Sequence, residues 1–201
     1  NDGLQSFAEH SIASHANGAS SIYAADVDGD EDVDVISSYD DVIAWHENDR
    51  SENFTEHVIT TVVKVVSDVR AIDVDGDEDV DVLSVSAHED TVAWHGNDGS
   101  QNFTDHIITD SAEGAICVFA IDVDGDGDVD VLSASRYDDR VAWYENDGGS
   151  QSFTQHVITD EADGARSVVA IDVDEDGDAD VLSASYYADT VAWYENDCDT
   201  H

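Results

Sequence analysis

Four stretches of this sequence place an aspartate at every second position. They are Asp26-Val-Asp28-Gly-Asp30-Glu-Asp32-Val-Asp34, Asp73-Val-Asp75-Gly-Asp77-Glu-Asp79-Val-Asp81, Asp122-Val-Asp124-Gly-Asp126-Gly-Asp128-Val-Asp130 and Asp172-Val-Asp174-Glu-Asp176-Gly-Asp178-Ala-Asp180. Five aspartates within nine residues repel one another unless a cation neutralises them. A hard ion that takes only oxygen ligands suits them, and Ca²⁺ is that ion, one per run and four in all. Positions 1, 3, 5 and 9 of each run are expected to supply side-chain oxygens, and position 7 its backbone carbonyl. In the first run these are Asp26, Asp28, Asp30 and Asp34 with the Asp32 carbonyl, while Val27 and Val33 turn back to the core. An EF-hand would need a bidentate Glu at position 12 and helices on both sides. Position 12 is instead Ser37, Ser84, Ser133 and Ser183, and the flanks read as strands, so that motif is excluded.

The runs are one landmark of a longer period. Phe7, Phe54, Phe103 and Phe153 precede them; Trp45, Trp94, Trp143 and Trp193 follow them at spacings of 49, 49 and 50 residues. That period matches a propeller blade. In the third repeat, 116–123, 129–135, 140–145 and 153–159 are short runs of Val, Ile, Phe, Tyr and Trp separated by Asp, Gly, Asn and Ser. No stretch carries helical periodicity. The expected fold is an all-β, four-bladed β-propeller of four-stranded antiparallel blades, forming one domain over 1–201. Blade 1 is expected at about 21–60, blade 2 at about 68–109, blade 3 at about 116–159 and blade 4 at about 166–195. The phenylalanine strand near the start (6–12) is expected to complete blade 4 and close the ring, removing both sheet edges. The alternative is a larger ring or fibre, formed by dimerisation or by a longer chain.

These runs, with Asp122 to Asp130 as the clearest copy, resemble the FG-GAP/VCBS repeat family, whose blades also occur in the integrin α-subunit propeller. The resemblance covers essentially the whole chain. It implies a Ca²⁺ loop between the first two strands of each blade, an extracellular setting, and a role in adhesion, ligand binding or assembly, with some members attached to enzymes. The chain departs from the pattern at Glu31 and Glu78, where the sixth position is expected to be Gly, and at Glu175 in the fourth position of the last run. Distorted or weaker sites are expected there.

The formal charge is −43, from 49 acidic residues against six Lys and Arg. Four calcium ions would leave about −35, so most of the acidity faces solvent and opposes nucleic acid as a partner. Cations, basic proteins, neutral glycans and further copies of the chain are the partners expected, and a saline habitat would screen the self-repulsion. No apolar run is long enough for a transmembrane helix, so no membrane insertion is expected. Calcium sites of moderate affinity suit a secreted or cell-surface protein. Asn53 and Asn102 head N-glycosylation sequons at matching positions. Cys117 and Cys198 are candidates for a mutual disulfide, for linkage between subunits, or for free thiols.

The tryptophans read as packing residues between blades rather than sugar platforms. His10, His57, His106 and His156, three residues after each phenylalanine, read as strand residues of separate blades rather than a metal ring. Tyr39, His88, Tyr137 and Tyr187, beside Arg136, Arg140 and Arg166, form the most variable surface between repeats and are the ligand-facing candidates. No Gly-x-Ser-x-Gly elbow, His-Glu-x-x-His or phosphate loop is present, and no catalytic residues are assigned. The sequence thus points to a secreted, calcium-binding structural, adhesive or self-assembling module that is not an enzyme. A lectin-like glycan binder is the alternative, and a polysaccharide-active enzyme the less favoured third reading.

Overall fold

The structure, a computed structural model, describes residues 7–51, 53–148 and 152–197. It is built of β-strands and turns. The first sheet holds β1 (Ser21–Ala25), β2 (Asp34–Tyr39), β3 (Val42–Asn48) and β4 (Phe54–Thr60). The second holds β5 (Val66–Ile72), β6 (Asp81–Ser86), β7 (Thr91–Asn97) and β8 (Phe103–Thr109). The third holds β9 (Ala115–Ile121), β10 (Asp130–Ser135), β11 (Arg140–Asn146) and β12 (Phe153–Thr159). The fourth holds β13 (Ala165–Ile171), β14 (Asp180–Ser185) and β15 (Thr190–Tyr194). Within each sheet the strands follow chain order and pair antiparallel. Each sheet is one blade, and the first strands pack in succession, β1 on β5, β5 on β9 and β9 on β13.

Tight turns explain this meander. Blade 1 links β2 to β3 through Asp40 and Asp41, with Asp40 at φ 48°; the longer turns of blades 2 to 4 end on Asp90, Asp139 and Asp189, at φ 56°, 57° and 50°. Aspartate accepts this left-handed backbone more readily than most side chains. A register shift between the third and fourth strands recurs at Ile43/Ala44, Val92/Ala93 and Val141/Ala142, the position of a β-bulge that increases local twist. Central strands such as β6 and β10 are buried along their whole length because neighbouring blades cover both faces.

The core lies between blades. Val27, Ile36, Ile43 and Trp45 on the forward face of blade 1 pack with Val69, Val82 and Ala93 of blade 2. Val74, Leu83, Val92 and Trp94 repeat that face against Val118, Val131 and Ala142 of blade 3. Val123, Leu132 and Val141, with Trp143, meet Val168, Ala170 and Val181 of blade 4. The tryptophans are therefore packing residues. Three of them stack on the histidine of the neighbouring strand: Trp45 on His57, Trp94 on His106 and Trp143 on His156, with centroids 4.3–4.5 Å apart. Each of these histidines is thereby held within its own blade.

The expected closure by the first strand is corrected. Residues 7–19 form no strand, Phe7 is 96% exposed, and the fourth sheet has three strands; residue 6 lies outside the described residues. The segment has lost the β-formers of its counterparts. Ala8, Ser11 and Ala13 stand where blade 1 has Thr55, Val58 and Thr60. His10 and Ser11 instead line a cavity beside blade 1 with Asn48, Arg50 and Phe54. Among the described residues the four blades form an open series and not a ring.

Equivalent residues therefore have unequal worth. Trp94 is 1% exposed and Trp193 46%. Trp94→Ala should cost about 3–5 kcal/mol and Trp193→Ala about half of that or less, read as the difference between denaturant midpoints.

Candidate metal centre

Each aspartate run leaves the first strand of its blade and enters the second, so its ends are anchored in the sheet. The first aspartate organises the turn. In the third loop Asp122 Oδ1 accepts the Gly125 N–H at 2.7 Å and Oδ2 accepts the Gly127 N–H at 3.0 Å. Asp26, Asp73 and Asp172 do the same with residues 29 and 31, 76 and 78, and 175 and 177. Asp30, Asp77, Asp126 and Asp176, at position 5, each accept the N–H of position 7. The loop is thus wound by its own carboxylates.

Position 9 is the anchor. Asp34, Asp81, Asp130 and Asp180 have almost no exposed surface. One oxygen of each accepts the position-2 N–H, from Val27, Val74, Val123 or Val173, at 2.9–3.0 Å. The other accepts the N–H of Asn48, Asn97, Asn146 or Asn196 at 2.7–2.8 Å. That aspartate ties the loop to the end of the third strand.

This winding brings positions 1, 3 and 9 together. In Asp26/Asp28/Asp34, Asp73/Asp75/Asp81, Asp122/Asp124/Asp130 and Asp172/Asp174/Asp180, one carboxylate oxygen from each residue lies within 4.8 Å of the other two. The side chains of positions 5 and 7 (Asp30, Asp32, Asp77, Asp79, Asp126, Asp128, Asp176 and Asp178) are not in these groups. Asp32 is taken by Arg50, whose Nε lies 2.5 Å from it. Where blades 2 and 3 have Gly99 and Gly148 in place of Arg50, a Cβ would lie 2.4 and 2.0 Å from the carboxylates of Asp79 and Asp128. These glycines, at φ 73° and 64°, let position 7 approach the next turn, a contact that sequence reasoning missed because it joins two loops.

The electrostatics favour a cation. Burial pushes the carboxyls of Asp28, Asp75, Asp124 and Asp174 above the ordinary aspartate value, and their acidic neighbours push the same way. Burial also raises Asp34 and Asp130, and takes Asp81 to about 7 despite the donated N–H groups. Asp180 moves the other way, held low by the Asn196 N–H above all and by the Val173 N–H, which together outweigh its burial. An oxygen-only set of three clustered carboxylates, unfavourable when charged and unneutralised, fits Ca²⁺. Glu31 and Glu78 do not deform their loops. They adopt φ 71° and 72°, in the same left-handed region as Gly127 and Gly177, and their N–H groups make the same bond to position 1.

The other candidates separate. Tyr39 is corrected as a ligand-facing residue: blade 1's shorter turn leaves it inside β2, 8% exposed, with its hydroxyl pushed up to about 12 by burial and by Glu56. His88, Tyr137 and Tyr187 are exposed. Asn53 and Asn102 are exposed at turns, each donating its amide to an aspartate, Asp49 or Asp98. Cys117 is a free thiol buried between blades 3 and 4, 3.7 Å from the Val168 carbonyl, and Cys198 lies outside the described residues. Sequence reasoning passed over one constellation: Ser84 Oγ lies 2.9 Å from His95 Nε2, and His95 Nδ1 lies 2.7 Å from Asp105. Ser84 and His95 are fully buried, and His95 packs where blades 3 and 4 have Tyr144 and Tyr194, so the chain of contacts braces the sheet. Its members lie on three strands, and only their pairing across the sheet reveals it.

Solved structures share the fold. A lectin from Agrocybe aegerita, described as recognising non-reducing terminal N-acetylglucosamine, is 18% identical with a TM-score of 0.61, over 89% of this chain and 49% of the lectin chain. The Photorhabdus luminescens Tc holotoxin pore is 18% identical at TM-score 0.51, over 88% of this chain and 9% of the toxin chain. The V. cholerae biofilm matrix protein Bap1 is 18% identical at TM-score 0.50, over 90% of this chain and 31% of that protein. The chain thus spans half or less of each of these proteins. Comparison with curated proteins finds no match.

Two measurements check the loops. Without a cation, a carboxyl raised by burial supports folding at low pH and loses that support as pH climbs through its folded value, about 7 for Asp81. Calcium needs the charged form, so the gap between calcium-loaded and chelated melting temperatures should widen from acid pH through 7. Relief of left-handed strain should make Glu31→Gly and Glu78→Gly neutral to stabilising, by up to about 1 kcal/mol in denaturant titrations. The same loops, with the strands that hold them, match the FG-GAP-like repeat over 26–84, 73–133 and 122–183, and the chain belongs to that repeat family.

Proposed function

We propose that this chain is a calcium-stiffened β-propeller module that works outside the cell as a structural or adhesive element and carries out no catalysis. The observation that carries this reading is the fourfold recurrence of a carboxylate triad wound by its own backbone bonds. A metal bound in every blade at the same place suits a support for the fold better than a switch. The surplus negative charge fits a soluble module in a salt-rich medium and opposes nucleic acid as a partner. Ser84 and His95 are fully buried, so the Ser84 hydroxyl faces His95 and not a substrate, which favours a non-catalytic role.

Elemental analysis of the purified chain should find about four Ca²⁺ per molecule, one per triad. A ligand present at a hundred times its dissociation constant stabilises the native state by about 2.7 kcal/mol per site. At about 2–4 °C per kcal/mol for a chain of this size, chelation should lower the melting temperature by at least several degrees. An unchanged melting temperature with no bound calcium would refute the reading.

Glycan binding is the second reading, favoured by one surface. Arg136 lies 4.4 Å over the Tyr137 ring and Arg166 lies 4.9 Å over Tyr186, with Tyr187 edge-on beside it. Such exposed aromatic and guanidinium groups suit a sugar ring. A glycan array should then show hits that Tyr137→Ala and Tyr187→Ala remove; a blank array withdraws this reading.

A further inference from the structure

The first two aspartate runs are the same nine residues in the same order, at 26–34 and 73–81. They are also wound alike. The first aspartate accepts the N–H of position 4 at 2.9 and 2.8 Å, and that of position 6 at 2.9 Å in both loops. Position 9 accepts its two N–H groups at 2.7–3.0 Å in both. Glu31 and Glu78 stand at φ 71° and 72°. Identical runs with the same winding give an internal comparison, and they differ in the charged side chain that reaches in from outside.

In the first loop that side chain is Arg50. Its Nε lies 2.5 Å from Asp32 Oδ2, and its Nη2 donates to the Asp30 carbonyl at 2.5 Å, so one guanidinium spans positions 5 and 7. In blades 2 and 3 the same place in the turn is Gly99 and Gly148, where the carboxylates of Asp79 and Asp128 lie against bare backbone. Arg50 takes the left-handed backbone of those glycines, at φ 61°, which a side chain makes costly, and its head group on the loop offsets that strain. Asp32 holds the guanidinium above the ordinary arginine value, with Asp30 and Asp26 adding to the effect, so its charge is felt by two of the expected oxygen donors. Among the described residues the other arginine–aspartate pairs, Arg70 with Asp68 and Arg140 with Asp138, lie outside the runs.

We propose that Arg50 is a resident counter-cation of the first loop, which holds that loop wound without a metal and makes it take up calcium more weakly than the second loop of identical sequence. Arg50 is a positioning residue and not a ligand. The run carries five aspartates and Glu31, and the guanidinium cancels one of these six negative charges. Without a metal, that charge eases the repulsion among the carboxylates, so the first loop resists unwinding where the second has its backbone bonds alone. With a metal, the sign reverses. Affinity in oxygen-ligand loops follows the charge of the ligand set, and a fixed positive group within a screening length repels a divalent ion. The loss is on the order of threefold to tenfold in low salt and fades as salt rises. Prior winding does not outweigh it, because the backbone bonds that set the turn are common to both loops. The affinity half of the proposal rests on the calcium reading above, and the winding half does not.

Amide hydrogen exchange of the full chain, read by mass spectrometry on the peptides that carry each loop, tests both halves. In chelator, Arg50→Gln should speed exchange of the first loop several-fold and leave the second unchanged, while Arg50→Lys, which keeps the charge, should retain most of the protection. Both variants keep a side chain on the left-handed backbone, so that strain cancels between them. In a calcium titration at low salt, the first loop of the wild-type chain should reach half-saturation at about three to ten times the concentration the second needs. Arg50→Gln should close that gap, Arg50→Lys should keep it, and added salt should narrow it in the wild type. Arg50→Gly copies blades 2 and 3 and should behave as Arg50→Gln. A first loop that exchanges equally slowly in chelator with and without Arg50 overturns the winding half. A first loop that saturates with or before the second, or a gap that survives Arg50→Gln, overturns the affinity half. Calcium that protects no loop refutes the calcium reading and the affinity half with it, whereas the chelator arm still decides the winding.

Discussion

A buried carboxylate at the ninth position of each loop is the interaction on which the rest of the structure depends. Asp34, Asp81, Asp130 and Asp180 each hold two backbone N–H groups, one from the start of the loop and one from the end of the third strand. A single side chain therefore sets the loop, the strand register and the position of the asparagine that reaches the neighbouring blade. At Asp34, Asp81 and Asp130 the same burial makes the charge unfavourable in the absence of a cation. Two backbone donors soften that penalty without cancelling it, as the position of Asp81 at about 7 makes plain. Structural staple and candidate metal ligand are thus one group, so a cation bound there would be coupled to stability through it.

Charge and packing divide the labour along the blade. The loops gather acidic groups at one end, while the junctions between blades are built from Val, Ile, Leu, Ala and Trp. Hydrophobic burial scales with area removed from water, so a blade in mid-series gains on both faces and an end blade on one. Trp193 is the same residue type in the same register as Trp94, paired with Leu182 as Trp94 is with Leu83, yet it keeps nearly half its surface exposed. The difference comes from which faces find a neighbouring blade among the described residues.

Much of the fold and the metal centre was legible in the residues. The period of the tryptophans, the alternation in the strands and the aspartate runs marked out the blades, and the triads of positions 1, 3 and 9 lie inside those runs. The misses have physical causes. The segment around Phe7 kept the landmark phenylalanine and histidine but, Ile12 apart, lost the β-branched residues of its counterparts, so a motif match outlasted the propensity beneath it. Tyr39 shares its place in the repeat with Tyr137, but blade 1 turns sooner, and a turn shortened before Val42 draws the tyrosine into the sheet. Glu31 and Glu78 stood out as departures because glycine is the easy choice for a left-handed residue; they take that backbone nonetheless, held by the bond each N–H makes to Asp26 or Asp73.

By itself the sequence determined the blade, its period, the acidic loop and its oxygen-only donor set, because all of these are local: alternation, turn residues and carboxylate spacing act within a few tens of residues. The tertiary structure alone decided which carboxylates converge, which oxygens are spent on backbone, and whether the series closes. It also decided that Ser84, His95 and Asp105 meet inside a sheet. Those outcomes depend on how separate strands and blades stack. The stacking of near-identical blades is decided by which faces find a neighbour, and no local pattern in the chain encodes that.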